Sequence, residues 1–126
     1  MLLRALALLA LVLASGLAHA VLAVPPLTAR VTDLTGTLSA AQRGALEQKL
    51  AAFEAGKGSQ IAVLVVKTTA PETIEQYAIR VASQWQLGRK DVDDGILVLV
   101  ARDDRALRIE VGYGLEGVVP DAIAKR

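Results

Sequence analysis

The side chains that could do chemistry in this chain are carboxylates. Asp93 and Asp94 precede an apolar run, Glu116 sits in a glycine-rich stretch, and Asp121 follows Pro120. Grouped carboxylates repel unless a cation or a nearby base neutralises them, so a tight cluster of them favours a hard divalent ion such as Ca2+ or Mg2+. Other chemistries are excluded by composition. The 126 residues contain no Cys, and the one His, His19, lies in the first twenty. Beyond residue 20 there is no Ser-His-Asp or Cys-His nucleophile, no His or Cys zinc site and no disulfide.

Those first twenty residues read as an address. A basic start ending at Arg4 leads into the apolar run Ala5 to Ala14, and Ala18-His19-Ala20 is a small-x-small cleavage pattern, so residues 1–20 are expected to be a signal peptide. The apolar run is too short to span a bilayer. Removing the leader takes away Arg4 and leaves thirteen basic against thirteen acidic side chains. Zero net charge with dispersed lysines argues against nucleic acid, which needs a concentrated basic footprint.

The elements that must position the carboxylates follow from periodicity. Residues 21–30 carry Pro25-Pro26 and read as an extended linker. Val31 to Leu38 is at most a short edge strand. Ser39 and Gln42 form a capping box that starts a first helix, with Leu46, Leu50 and Phe53 as its apolar stripe and Gly56 as its expected end. Ser59 to Lys67 is a buried strand. Pro71 is expected in the first turn of a second helix, whose stripe is Ile74, Tyr77, Ala78, Val81 and Trp85 and whose stop is Gly88. Tyr77 and Trp85 read as packing residues. After a charged loop, Arg89 to Gly95, a second buried strand covers Ile96 to Ala101, parallel to the first through a strand-helix-strand crossover. A polar turn at Arg102 to Arg105 then folds Leu107, Ile109 and Val111 back as an antiparallel strand. Pro120-Asp121 looks like the start of a third helix, and the end at Arg126 is expected to cut the domain before its last helix.

The hairpin is what gathers the acids. The start of its first strand and the end of its second lie at one rim, so Asp93 and Asp94 should approach the Gly112 to Gly117 loop and bring Glu116 and Asp121 near. The competing reading makes Asp93-Asp94-Gly95 a solvated turn, pairs Glu116 with Arg89 or Lys90, and leaves Asp121 to favour a helix start through its dipole. Gly112, Gly114 and Gly117 match G-x-G-x-x-G, but they follow a hairpin strand rather than a first parallel strand, so no nucleotide cofactor is expected. Asp91-Val92-Asp93 precedes its strand, where an aspartate-nucleophile motif would follow it, and Gly56-Lys57-Gly58-Ser59 breaks the phosphate-loop order.

Several segments together resemble one known family. These are Asp33 with Leu38-Ser39, Gln60 to Val66, Tyr77-Ala78, Trp85 to Gly88, Asp94 to Leu97, and above all Ile109 to Gly117 with Asp121. In that order they are similar to the TPM domain family, the YgcG-like exported proteins, from about residue 30 onward. The resemblance implies an α/β fold with a small mixed sheet sandwiched between helices. It also implies export, calcium binding in some members, and association with a membrane protein or membrane-associated complex. A plant relative linked to photosystem repair is reported as an acid phosphatase, and a nematode relative modulates a receptor. Carried over by residue, the implied acidic positions are Asp33, Asp93 or Asp94, Glu116 and Asp121. Three functions follow as expectations: a cation-holding interaction or assembly factor in an extracytoplasmic compartment, a metal-assisted phosphatase, and a purely structural docking domain.

Overall fold

A computed structural model of the chain describes residues 20–88 and 94–112. Within them lie six elements: β1 Val31–Asp33, α1 Ala40–Lys57, β2 Ile61–Val66, α2 Ile74–Trp85, β3 Ile96–Ala101 and β4 Ala106–Val111. The strands form one mixed sheet in the order β1-β2-β3-β4. β1, β2 and β3 run parallel, and β4 returns antiparallel with Ile96 opposite Val111 and Ala101 opposite Ala106. The α/β class, the parallel pair and the hairpin are as the periodicity predicts.

Each helix begins at a reciprocal cap. The Ser39 hydroxyl accepts from the Gln42 amide at 3.1 Å while the Gln42 side chain accepts from the Ser39 amide at 2.9 Å. Thr73 and Gln76 repeat the device for α2. Three expected boundaries move. α1 runs past Gly56 and ends at Gly58, whose φ of 84° and bond to the Glu54 carbonyl make it the left-handed cap. α2 begins after Thr73, so Pro71 lies ahead of the first turn, because the threonine box supplies the start. Its C-cap is Gln86 at φ 48°, two residues before Gly88.

The two faces of the sheet are packed unequally. Alternate residues of the central strands, Ala62, Leu64, Val66, Leu97, Leu99 and Ala101, are buried against Tyr77, Ala78, Val81 and Trp85 of α2. Burying each larger side chain there contributes about 1.5–3 kcal/mol. Because residues opposite each other share a face, Arg108 and Glu110 of β4 stand on this α2 side, joined by a 3.0 Å ion pair. Ala106 packs on the core there too, and the larger aliphatic residues of β4 turn the other way. Leu107, Ile109 and Val111 line up with Ile96, Val98 and Val100, and through them with Ile61, Val63, Val65 and Val31. α1 packs against β1 and β2, leaving Leu107 43% exposed at the far end of that face. The expected stripe of α1 is shallow: Leu46 and Leu50 are half-buried, Phe53 is 41% exposed, and no residue of the helix is fully buried.

The lead-in is no free linker. Residues 22–25 lie along α2, with Leu22 and Val24 packed against the core. Tyr77 Oη donates to the Ala23 carbonyl, Arg80 Nη2 to that of Leu22 and Trp85 Nε1 to that of Pro25, at 3.0, 2.7 and 2.7 Å. Tyr77 and Trp85 are core residues as predicted, and their polar tips do a second job.

Candidate functional site

Where the chain enters β3, four segments converge on one rim. Gln60 leads into β2, Leu87 and Gly88 follow α2, Asp94 and Gly95 lead into β3, and Gly112 leaves β4. They are tied together by backbone and amide bonds. Gly88 donates to the Gln60 side-chain oxygen at 2.8 Å, Ile96 to the Gln60 carbonyl at 2.8 Å, and Gly112 to the Gly95 carbonyl at 2.9 Å.

Glycine is required at two of these positions by close approach. A Cβ on Gly88, whose φ is 93°, would overlap the Gly95 amide and lie 2.9 Å from the Asp94 backbone. One on Gly95 would overlap the backbone of Leu87. The two glycines clamp the two sides of the rim together, and Asp94 is held between them at 2% exposure. A carboxylate at that depth is fixed in place, which overturns the solvated-turn reading for this residue. The hairpin places Gly112, just after β4, beside Gly95, the residue that follows Asp94 in the chain. Asp93, Glu116 and Asp121 lie outside the described residues, and among the described residues no group of three or more metal-ligating side chains forms.

Asp33 belongs elsewhere. In β1 it stands level with Val65, whereas Ile96 is level with Ile61. Four strand residues, about 13 Å, separate those levels, and Asp94 lies further out still. The structure thus places Asp33 at the opposite rim from Asp94. Its carboxylate is also taken: Oδ1 accepts from the Thr35 amide at 2.9 Å and the Thr35 hydroxyl at 2.6 Å, and Oδ2 from the Leu38 amide at 2.7 Å. Burial pushes this carboxyl up. The donations from Leu38 and Thr35, with the charge of Arg43, outweigh burial and hold it below the ordinary aspartate range.

Sequence reasoning missed Gln60, Gly88 and Gly95 as the frame of the Asp94 rim. It also missed the donors that hold the lead-in, although a buried Tyr or Trp usually needs a partner for its polar tip, and that was the available signal. A shallow groove of about 300 Å³ between α1 and β1 is lined by Val31, Ala40, Gly44 and Glu47. The Glu47 carboxylate is occupied there by the amides of Arg30 and Val31 at 2.9 and 3.0 Å. Among the described residues no helix is long and apolar enough to cross a membrane.

Among the described residues the Asp94 rim carries one carboxylate, that of Asp94 itself, and the Gln60 and Gly95 carbonyls beside it accept from Ile96 and Gly112. A family model for the TPM domain matches residues 31–126. No curated protein matches the chain. Among solved structures, the N-terminal domain of a protein from P. gingivalis, determined by solution NMR, is 34% identical, with a TM-score of 0.68. That match covers 76% of this chain and 61% of the other, so the chain spans under two thirds of its relative's length. The N-terminal domain of the cg2496 protein from Corynebacterium glutamicum shares the fold at 19% identity and a TM-score of 0.63, covering 82% of this chain and 68% of that one.

Proposed function

The chain belongs to the TPM domain family, and from that premise we propose that it is an exported domain that holds a divalent cation at the Asp94 rim. There it acts as an interaction or assembly factor for a membrane protein or membrane-associated complex. The observation that carries the reading is the buried carboxylate of Asp94, clamped between Gly88 and Gly95 beside Gly112, which precedes Glu116 by four positions in the sequence. Asp93, Glu116 and Asp121 are the further ligands in this reading. Asp33 is not among them, because its lone pairs are occupied at the far rim.

A calcium titration followed by thermal melting tests the proposal. Millimolar Ca2+ or Mg2+ should raise Tm, and Asp94→Asn and Glu116→Gln should each reduce the rise. No rise with either ion removes the cation. The Glu116 variant guards against an Asp94 variant that fails to fold.

A second reading, a metal-assisted phosphatase, is supported by the family model's label, which names a TPM phosphatase. In it Asp93 or Asp94 would hold a cation able to polarise a phosphoryl oxygen, and Glu116 would take the proton of the attacking water. Phosphomonoester turnover that depends on the cation and falls in Asp94→Asn selects this reading over the first. Turnover that the substitution leaves unchanged removes it.

A further inference from the structure

We propose that the outer edge of β4 is a pairing surface for β4 of a second copy of this chain, the two sheets joining antiparallel across a two-fold axis at Ile109. β4 stands last in the sheet order, and none of its residues is buried. The bond from the Gly112 amide to the Gly95 carbonyl sets the phase of its ladder with β3. Residues facing each other across an antiparallel pair alternate between bonded and unbonded, so Glu110 with Leu97 and Arg108 with Leu99 are bonded pairs. The amides and carbonyls of Leu107, Ile109 and Val111 therefore point to the open side, and among the described residues nothing takes them. A free row of this kind is a template for another strand.

The side chains select the strand that fits, because β4 is its own complement. With Ile109 facing itself, Arg108 stands opposite the partner's Glu110 on the α2 side, and Leu107 opposite the partner's Val111 on the other side. The neighbouring registers fail. An axis at Arg108 sets two guanidiniums face to face, and an axis at Glu110 does the same with two carboxylates; like charges directly opposite are destabilising. An axis at Leu107 or Val111 carries each strand beyond its partner's end. A strand without this alternation gains no such match, so the occupant is a second copy. The charges are also available. Arg108 Nε donates to Glu110 of its own strand at 3.0 Å, and its two terminal nitrogens hold no partner among the described residues. The two side chains are only 15% and 25% exposed, so salt screens the added pairing less than at an open surface. Pairing also covers Leu107, which is 43% exposed in the single copy. The contact is isologous and closes on itself. The inference is independent of any cation.

A contact between two edge strands falls in the small class of interfaces, under about 1,200 Å², so the pairing is weak and is tested up to about 1 mM protein. Light scattering on the full-length chain should show its mass rise toward twice that of the monomer. Over the same range hydrogen exchange should slow at the amides of Leu107, Ile109 and Val111 and stay unchanged at those of Arg108 and Glu110, which already bond to β3. A chain that remains monomeric, or a dimer in which those three amides gain no protection, overturns the proposal without any variant. Charge reversal supplies the second arm. Arg108→Glu and Glu110→Arg should each be monomeric alone, because each sets like charges face to face, and an equimolar mixture of the two should recover the dimer. The double reversal restores the alternation and should dimerise as the wild type does. A single reversal that dimerises as well as wild type, or a mixture no more associated than its parts, overturns the proposal. Should a single reversal fail to fold, Ile109→Pro takes its place: the lost amide lies on the open side, so the ladder with β3 is kept and the dimer should vanish. A dimer that survives this change overturns the proposal.

Discussion

The two rims of the sheet position their carboxylates by different means. At the rim where β1 and β2 end, acids are filled by neighbours. Asp33 takes three donations from Thr35 and Leu38, and Asp104 shares the one Thr68 hydroxyl proton between its two oxygens, each at 2.9 Å, and accepts from the Thr69 amide at 3.2 Å. Those bonds tie loops to strand ends, and each acid there works as a staple. At the rim where β3 begins, close approach is arranged by glycine: Gly88 against Gly95 encloses Asp94, and Gly112 hands the chain on beside it. The first rim is thus built by side-chain hydrogen bonds to loop amides and hydroxyls, and the second by the close approach of two glycine backbones.

The largest effect should come from Gly88→Ala, which places a Cβ against the Gly95 and Asp94 backbone at a positive φ. A loss of about 3 kcal/mol is expected. For a domain of this size that is a fall in Tm of roughly 12 °C or more. A variant as stable as wild type would break the contrast, since the close approach would not matter. Asp33→Ala should cost about 2 kcal/mol, because it strands the Leu38 and Thr35 amides. The pH dependence sharpens this. The Asp33 carboxyl is held below its unfolded value, so its contribution is present above the unfolded pKa of about 3.9 and lost as pH falls through the folded one. The gap in Tm between wild type and Asp33→Asn should therefore be full at neutral pH and close in acid.

Calcium separates the rims most directly. At ten times the dissociation constant a bound ion adds about 1.4 kcal/mol of stability. That increment should survive in Asp33→Asn and Asp104→Asn and shrink in Asp94→Asn, and equal losses at both rims would erase the distinction. The smallest effect is Asp104→Asn itself, about 1 kcal/mol in a denaturant melt, since its bonds to Thr68 are exposed.

What the amino-acid sequence reveals of this molecule is what is local. The Ser39-Gln42 box, the β-branched runs of β2 and β3 and the 3.6-residue stripe of α2 are encoded in neighbouring residues and appear where their patterns lie. The same signature at Thr73-Gln76 is hidden by Pro71, which offers a rival start two residues earlier. Gly56 and Gly58 are indistinguishable as stops until the chain shows which of them adopts a left-handed angle. The alternation of β4 is plain, but its direction is not, because only the register with β3 puts Arg108 and Glu110 on the α2 side. The bonds from α2 to the lead-in join residues 54 to 60 positions apart through carbonyls that every residue carries, so no residue type announces them. Within the candidate site the hairpin logic brings Asp94 to Gly112, whereas the glycine clamp depends on a contact between segments that no spacing rule describes.

α1 is the longest element of the described structure, yet it contributes no buried residue. Its attachment runs largely through Glu47 and Glu54, which meet Arg30 and the start of β1. Opening these bonds exposes only Val31 and Val65 of the buried core, so amide hydrogen exchange should begin in α1 and in β1, its three-residue companion, at a free energy well below that of global unfolding. β2, α2, β3 and β4 would persist as the slow-exchanging unit. The Asp94 rim belongs to that unit, and the Asp33 staple belongs to the part that opens first.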